Sequence, residues 1–295
     1  VNMGQVVQYC KVRGYMPPVI PEFRHMTFGG AVAGLGGESA SFKHGLLHES
    51  VTEYEVVDGK GNILRVTKDS EHSALFESLP GSYGTLSFIT LMYVKCIIIK
   101  PFVKCKYLWF DNIKKVKEQF EKKQDCDFID SVAVKNNQIC VVYGYFKTSL
   151  SIYDSLFKHE KFDKSYSKWY YNVLLGMQNG SEHILEIEDY IFRWDRGAFF
   201  NASMRLEHNL LNRLFYGKML SSEALYKRAR RRSCLEREKR KINQDMMIPL
   251  EHFENFFKEN DKVHSSYPMW LLPIHNKVGG IFNLAPDTTY VDVGV

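Results

Sequence analysis

The chain has 295 residues, of which 45% are hydrophobic and 25% charged, as in a soluble globular protein with a sizeable core. This length predicts one large domain or two ordinary ones, and the net charge of +5 is mild. Six widely spread cysteines form no C-x-x-C pair, which argues against a metal site or a disulfide framework and favours reduced thiols. The longest apolar stretch, near residues 94–99, is far shorter than the ~20 residues of a spanning helix.

The first hundred residues alternate between helical and strand patterns. Apolar residues at helical spacing open the sequence, and three prolines then impose an extended path. Two runs of β-branched residues flank an Asp-Gly turn, which predicts a hairpin. The predicted elements are a helix over 3–15, an extended segment over 17–21, hairpin strands 51–57 and 63–67, a helix ending at 79, and one or two buried strands over 84–94.

Composition changes after Pro101, where the sequence becomes rich in Lys, Phe and Tyr. We therefore predict an α+β protein in two parts, residues 1–103 and residues 104–295. The predicted elements of the second part are strands over 131–133 and 138–146, a helix over 153–157, helices within 205–240, a helix over 251–258, and strands over 269–273 and 289–293.

The densest local signal is glycine: five of the nine positions from Gly29 to Gly37 carry it. Glycine costs roughly 0.5–1 kcal/mol in a regular element relative to alanine, so such a cluster needs a reason. Either the backbone turns through unusual dihedrals, or a bulky ligand lies directly against its N–H groups. A flexible loop is the alternative, although Val32, Ala33 and Leu35 are apolar where a linker would be polar. We interpret the segment as a cradle for a diphosphate and its attached ring system.

Two common nucleotide motifs do not fit this segment. A Rossmann fingerprint needs a strand directly before its glycines, and here the preceding residues are rich in proline. Ser39 also stands where the third glycine belongs. A phosphate loop fails because no glycine–lysine pair follows at the required spacing. A second segment, residues 80–89, places Gly, Ser and Thr at the start of a strand, where a plain turn is also a sufficient explanation.

Taken together, the two segments resemble the FAD-binding domain of the vanillyl-alcohol-oxidase type, with the Δ24-sterol reductase family as the nearest branch. The pattern is T-F-G-G-x-x-x-G-x-G-x-x-S, then K-H-G-L, a hairpin with Asp-Gly, and P-x-S-x-G-T-L. Further strings of that family occur in the same order: Met3-Gly4-Gln5-Val6, Gln244-Asp245-Met246 with Pro249, Tyr267 to Pro273, and Tyr290 to Gly294.

The resemblance implies that residues 1–103 are the second half of an FAD-binding domain and that residues 104–295 form an α+β substrate or cap domain. It also implies non-covalent FAD held by two segments. Tyr83 and Ser87 depart from the family's pattern, which carries a cysteine and a glycine there. His44 and His48 do not stand where a covalent flavin link would form. No catalytic residue and no metal ligand are assigned. The implied flavin-contacting residues are Thr27, Phe28, Gly29, Gly30, Ala31, Val32, Ala33, Gly34, Leu35, Gly36, Gly37, Glu38, Ser39, Ser82, Gly84 and Thr85.

The same resemblance implies a reaction and a place in the cell. NADPH would reduce FAD, and the reduced flavin would pass a hydride to a C=C bond in the side chain of a sterol while a general acid protonates the other carbon. Tyr267 is the one residue we name as a candidate proton donor. The family implies a cytosol-facing position on the endoplasmic reticulum membrane. Its first flavin-binding segment and its amino-terminal anchor are expected upstream of Val1, so these residues alone are expected to retain little FAD.

Two other functions stay open: an FAD-dependent oxidase of an alcohol or lactone on the same scaffold, and a non-catalytic relative that has lost the flavin.

Two further segments of the sequence each allow two interpretations. The basic run over 227–241 is either a solvated helix face or a patch that meets anionic lipid, and no nucleic-acid-binding module accompanies it. The segment from Arg193 to Phe200 either lines a substrate pocket or forms an ion-paired turn packed on aromatic rings.

Overall fold

The computed structural model describes residues 1–122, 125–231, 245–280 and 284–294. Helices and strands are mixed along the whole sequence, which confirms the predicted α+β class. Two compact units form. The first comprises Val1–Pro21, Met26–Ile99 and Pro273–Tyr290, and the second comprises Glu22–His25, Lys100–Leu272 and the residues from Val291. The division at residue 103 into a flavin domain and a substrate domain stays a prediction.

The first unit contains the predicted hairpin and the predicted amino-terminal helix. Asn2 caps that helix, because its side-chain oxygen accepts a hydrogen bond from the Gln5 backbone N–H at 2.9 Å. Asp58 shapes the hairpin turn by accepting from the backbone of Lys60 and Asn62. Its elements are α1 (Met3–Lys11), β1 (Tyr15–Met16), α2 (Phe28–Ala33), α3 (Ser41–His44), a 3₁₀ turn (Leu47–Ser50), β2 (Val51–Val57), β3 (Ile63–Thr67), α4 (Ser73–Ser78), β4 (Phe88–Val94) and β5 (Ile97–Ile98).

Strand β4 corrects one expectation. It pairs antiparallel with β2 in a sheet of order β3-β2-β4, but it begins only at Phe88 and is not buried. Phe88 exposes 73% of its surface, and Leu91 and Tyr93 are exposed as well. The prediction of buried strands over 84–94 was therefore wrong, because a continuous apolar run does not distinguish a core strand from one that lines an open cavity.

The second unit is built on a larger sheet of order β10-β12-β11-β7-β8-β6-β9. Strands β7 and β8, which contain the two strands predicted over 131–133 and 138–146, pair as a hairpin, and β6 pairs antiparallel with both β8 and β9. The elements are β6 (Phe102–Phe110), α5 (Ile113–Glu121), β7 (Phe128–Lys135), β8 (Gln138–Lys147), α6 (Ile152–Phe157), α7 (Tyr170–Gly176), β9 (Glu182–Glu186), α8 (Ile187–Ile191), α9 (Leu210–Tyr216), α10 (Ser222–Arg231), β10 (Asp245–Pro249) and α11 (Phe253–Val263); β11 (Met269–Asn276) and β12 (Thr288–Gly294) have residues in both units.

Several of these elements are absent from the sequence prediction. Strand β6 is the longest of the omitted strands, although its alternation of buried Val103, Cys105 and Tyr107 with lysines is a period-2 signal. In the part of the protein that the structure describes, no helix is long and apolar enough to cross a membrane, and no group of acidic, His and Cys side chains is arranged to hold a metal ion.

A fully buried ion pair lies in the second unit. The Arg193 guanidinium donates to the Asp130 carboxylate at 2.8 Å, and both side chains are inaccessible to solvent. The Trp270 indole N–H donates to the same oxygen at 3.0 Å, and the Tyr190 ring lies 4.2 Å from the guanidinium carbon. Trp194 is buried and stacks on Phe199. Of the two interpretations of residues 193–200, the ion-paired aromatic turn is the one that these contacts support.

Replacing Arg193 by Met should lower the free energy of unfolding by about 3–5 kcal/mol, because it leaves the Asp130 charge buried without its partner. Urea unfolding at neutral pH measures the effect. The matched control is Lys262→Met, which breaks the exposed ion pair with Glu259 and should cost less than about 1 kcal/mol. Equal losses in the two variants would contradict the structural role given to the buried pair.

Candidate functional site

The glycine-rich segment begins as a helix rather than as a loop. Helix α2 follows Thr27 at its N-cap and ends at Gly34, whose N–H donates to the Gly30 carbonyl at 2.9 Å. None of the glycines from 29 to 37 has a positive φ, whereas Leu35 does, at 58°. The explanation by unusual dihedrals was therefore wrong. The other explanation is that protein atoms or a ligand lie directly against the backbone at these glycines.

Packing within the protein explains some of the glycines. A Cβ on Gly36 would lie 3.0 Å from Pro21 Cγ, and one on Gly37 would lie 3.0 Å from Ile274 Cδ1. Gly29 differs, because a Cβ there would meet only Met92 Cε at 3.9 Å. No packing inside the protein requires glycine at position 29, so the first turn of α2 is open to the cavity at this residue.

The second segment is joined to the first by one backbone hydrogen bond. The Tyr83 N–H donates to the Ala33 carbonyl at 3.2 Å. Around it, the Ser82 hydroxyl donates to the Leu79 carbonyl at 2.7 Å and the Thr85 hydroxyl to the Ser82 carbonyl at 2.7 Å. Tyr83 has φ = 51°, which is uncommon for a residue other than glycine, and exposes 80% of its surface. The turn thus presents a large aromatic side chain beside α2.

A cavity of about 890 Å³ lies between these two segments and strand β4, all within the first unit. This volume falls in the range of small-molecule sites. Seven of the predicted residues line it: Thr27, Phe28, Gly29, Gly30, Ala33, Ser82 and Gly84. Nine do not: Ala31, Val32, Gly34, Leu35, Gly36, Gly37, Glu38, Ser39 and Thr85.

The residues that the sequence prediction missed form the cavity's opposite wall. They come mainly from β4, and the turn and α1 add others. The apolar alternation of the strand gave a signal for them, but nothing in the sequence shows which way a strand faces. The lining residues outside the prediction include Val6, Cys10, Tyr83, Ser87, Phe88, Ile89, Thr90, Leu91, Met92, Val94 and Cys96. No Asp, Glu, His, Lys or Arg is among the described residues that line the cavity.

Glu38 and Ser39 lie in a buried turn instead of at the cavity. The Glu38 carboxylate accepts from both the N–H and the hydroxyl of Ser39, and the Glu38 N–H donates to Ser41 Oγ at 3.0 Å. These contacts hold the backbone between α2 and α3. Both residues therefore have a local structural role, and the cavity-lining part of the segment ends earlier than predicted.

The histidines considered for a covalent link are not among the cavity residues. His48 is buried in the 3₁₀ turn, and this burial lowers its pKa to about 4. A neutral imidazole is the consequence at physiological pH, since the charged form would have to lose its hydration. Lys43 lies nearby, where its carbonyl accepts from Lys277 Nζ at 2.7 Å.

Tyr267 has a partner of its own in the second unit. Its hydroxyl donates to Asp261 Oδ1 at 2.8 Å, and burial together with this carboxylate raises the pKa of the phenol. Both effects hold the proton more tightly, which counts against Tyr267 as the proton donor.

In the basic run, Lys227 Nζ forms an ion pair with Glu223 Oε1 at 2.5 Å. Residues 232–241, and Gln244 of the Q-D-M string, lie outside the described residues.

Comparisons with known proteins agree with this geometry. A family model described as an FAD binding domain matches residues 1–67, which include α2. The protein is 29% identical over 317 residues to the Delta(24)-sterol reductase homolog dhcr-24 of Caenorhabditis elegans, in a match that spans all of this sequence and 60% of that protein. It is 26% identical to the Delta(24)-sterol reductase of Mus musculus, in a match that spans all of this sequence and 58% of the relative.

A more distant likeness covers part of the sequence. Cytokinin dehydrogenase 8 of Oryza sativa is 25% identical over 138 residues, which are 45% of this protein and 26% of the relative. The family resemblance predicted from the sequence is confirmed: this α+β protein is related to the Delta(24)-sterol reductases over its whole length and contains FAD-binding-domain sequence. It spans about three fifths of the length of the two reductases.

Gly29→Leu should weaken FAD binding to the full-length protein at least about tenfold without unfolding it, because the new side chain extends into the cavity and not into protein atoms. Gly29→Ala should leave the protein as stable or raise its stability by about 0.5–1 kcal/mol. Flavin fluorescence titration and thermal unfolding measure the two effects.

The matched control is Gly176→Leu at the end of α7, where a Cβ would meet no atom within 4 Å and which is not among the residues that line this cavity. It should bind FAD like the parent protein. If Gly29→Leu binds FAD as tightly as this control, the ligand does not lie against α2.

Proposed function

We propose that these residues are part of an FAD-dependent reductase that uses NADPH to reduce a C=C bond in the side chain of a sterol. The observation that carries the proposal is the coincidence of two findings. The FAD-domain match over residues 1–67 includes the helix whose Gly29 has no packing partner, and the sterol reductases match the whole sequence. Sterol, NADPH and a position on the endoplasmic reticulum membrane facing the cytosol come with the likeness to these reductases.

The residues present fit a flavin. Gly29 and Gly30 lie in the first turn of α2, where backbone N–H groups have no acceptor within the helix. Thr27 and Ser82 add hydroxyls on the two sides of the cavity. No charged side chain is found among the described lining residues, and the Ser82 hydroxyl already donates to the Leu79 carbonyl, so the N–H groups of α2 and the Thr27 hydroxyl are the donors on offer to a diphosphate. FAD, when bound, supplies hydride transfer between a nicotinamide and a carbon atom.

The wall formed by β4 suits the rest of the ligand. Phe88, Leu91 and Met92 present apolar surface to the cavity. Such a wall excludes water and packs against the ring system of a cofactor. Tyr83 at the turn contributes an exposed phenol. In this proposal the first turn of α2 faces the diphosphate, the apolar side chains of β4 face the ring system, and the flavin is held without a covalent bond.

A second candidate function is a flavin-dependent dehydrogenase or oxidase of another substrate. The partial likeness to a cytokinin dehydrogenase favours it, and that likeness spans less than half of the sequence. The match to the reductases spans all of it. For this reason the sterol reductase is the function that the sequence relationships support best.

Anaerobic addition of NADPH to the full-length protein tests the proposal. Bleaching of the yellow oxidised flavin is expected, and addition of a sterol whose side chain has a double bond should restore the colour and yield the saturated product. Bleaching by an alcohol but not by NADPH would support the oxidase instead. A protein that binds no flavin would contradict both enzymes and support a non-catalytic relative.

A further inference from the structure

Helix α9 in the second unit carries its apolar side chains on the outside. Leu210, Leu211, Leu214 and Phe215 each expose more than half of their surface, and Phe215 exposes 73%. The polar residues of the helix, Asn212 and Arg213, are less exposed than these. A surface helix of a globular protein shows the opposite pattern, with its apolar side toward the core.

Polar contacts cap the start of this helix. The Asn209 amide oxygen accepts from the Asn212 N–H at 2.8 Å. The Asn212 amide in turn donates to the Glu207 carbonyl at 2.9 Å. Both amides thus bind the backbone at the start of the helix, while the leucines and the phenylalanine lie on the side that faces solvent.

Exposed apolar surface is also found just after the helix, in a stretch of sequence with an excess of positive charge. Met219, in the turn after α9, exposes about half of its surface, and the Arg228 guanidinium donates to its carbonyl. Between residues 204 and 228 the sequence has five Lys and Arg residues against two Glu. The five cations are Arg205, Arg213, Lys218, Lys227 and Arg228.

We propose that this α9 face (Leu210, Leu211, Leu214, Phe215 and Met219) inserts into the headgroup region of an anionic membrane, with the surrounding cations on the lipid headgroups. Leu and Phe on one side of a helix with Lys and Arg around them are typical of helices that lie in the plane of a membrane interface. Contiguous exposed apolar surface of this kind marks a contact site. The inference rests on the proposed function in that a sterol substrate dissolves in the bilayer.

The charges decide between a membrane and a protein partner. An acidic protein surface would match the cations but leaves five large apolar side chains to be matched separately. An anionic bilayer supplies both the negative headgroups and the apolar interior at one surface. A second apolar cluster on α6, formed by Ile152, Tyr153, Leu156 and Phe157, is also exposed and serves as the competing site in the test.

Co-sedimentation of residues 1–295 with phosphatidylcholine vesicles, with and without phosphatidylserine, tests the proposal. Binding should require phosphatidylserine and weaken as salt is raised, because exposed charges are screened. The double variant Leu211→Ser/Phe215→Ser should lower the partition coefficient at least about tenfold, since two large apolar side chains are lost from the interface. Ile63→Ser and Val263→Ser, which change isolated exposed residues, should leave binding unchanged.

Three results would overturn the proposal. They are no binding of the parent protein to phosphatidylserine vesicles, unchanged binding of the α9 double variant, and loss of binding only in Leu156→Ser/Phe157→Ser on α6. A fourth result, measured by size-exclusion chromatography, would also overturn it: a parent protein that is a dimer and an α9 variant that is a monomer. That result would assign this face to contact with a second copy of the protein. FAD binding of the full-length protein with and without the α9 substitutions separates this inference from the proposed function, because the α9 variant should keep it.

Discussion

The candidate site depends on one backbone hydrogen bond, from the Tyr83 N–H to the Ala33 carbonyl. It joins two segments that are fifty residues apart in sequence and holds the turn at Ser82–Gly84 beside α2. The pairing of β4 with β2 then places the third wall, since β4 follows that turn directly. A glycine-rich helix, a turn with hydroxyl groups and an apolar strand thereby enclose one cavity. Every part of the proposed function uses this arrangement.

The sequence predicted the site's chemistry better than its shape. Periodicity and turn residues were enough for the hairpin and for α1, because both form through local contacts and caps. Gly29 and Gly30 line the cavity, but the explanation of the glycines by unusual dihedrals was wrong, since none of the glycines from 29 to 37 has a positive φ. Whether a glycine faces a neighbour, as Gly37 does, or a cavity, as Gly29 does, depends on tertiary packing that no local pattern encodes.

The same limit explains the remaining differences. The apolar run of β4 has the composition of a core strand, and only its position at an open cavity leaves Phe88 exposed. In the second unit, Arg193 and Asp130 are 63 residues apart in sequence and meet in the core, so no spacing rule relates them. Helix α9 has an ordinary amphipathic sequence, and its orientation can be recognised as inverted only from which side is exposed.

The proposed function requires that α2, the turn at Ser82–Gly84 and β4 together bind FAD. Hydrogen exchange of the full-length protein with and without FAD, followed by mass spectrometry, tests it most directly. We expect slower exchange on adding FAD in peptides that cover residues 27–34 and 82–92, with little change over β7 and β8. Protection that spares both of these segments while appearing elsewhere in the protein would contradict it.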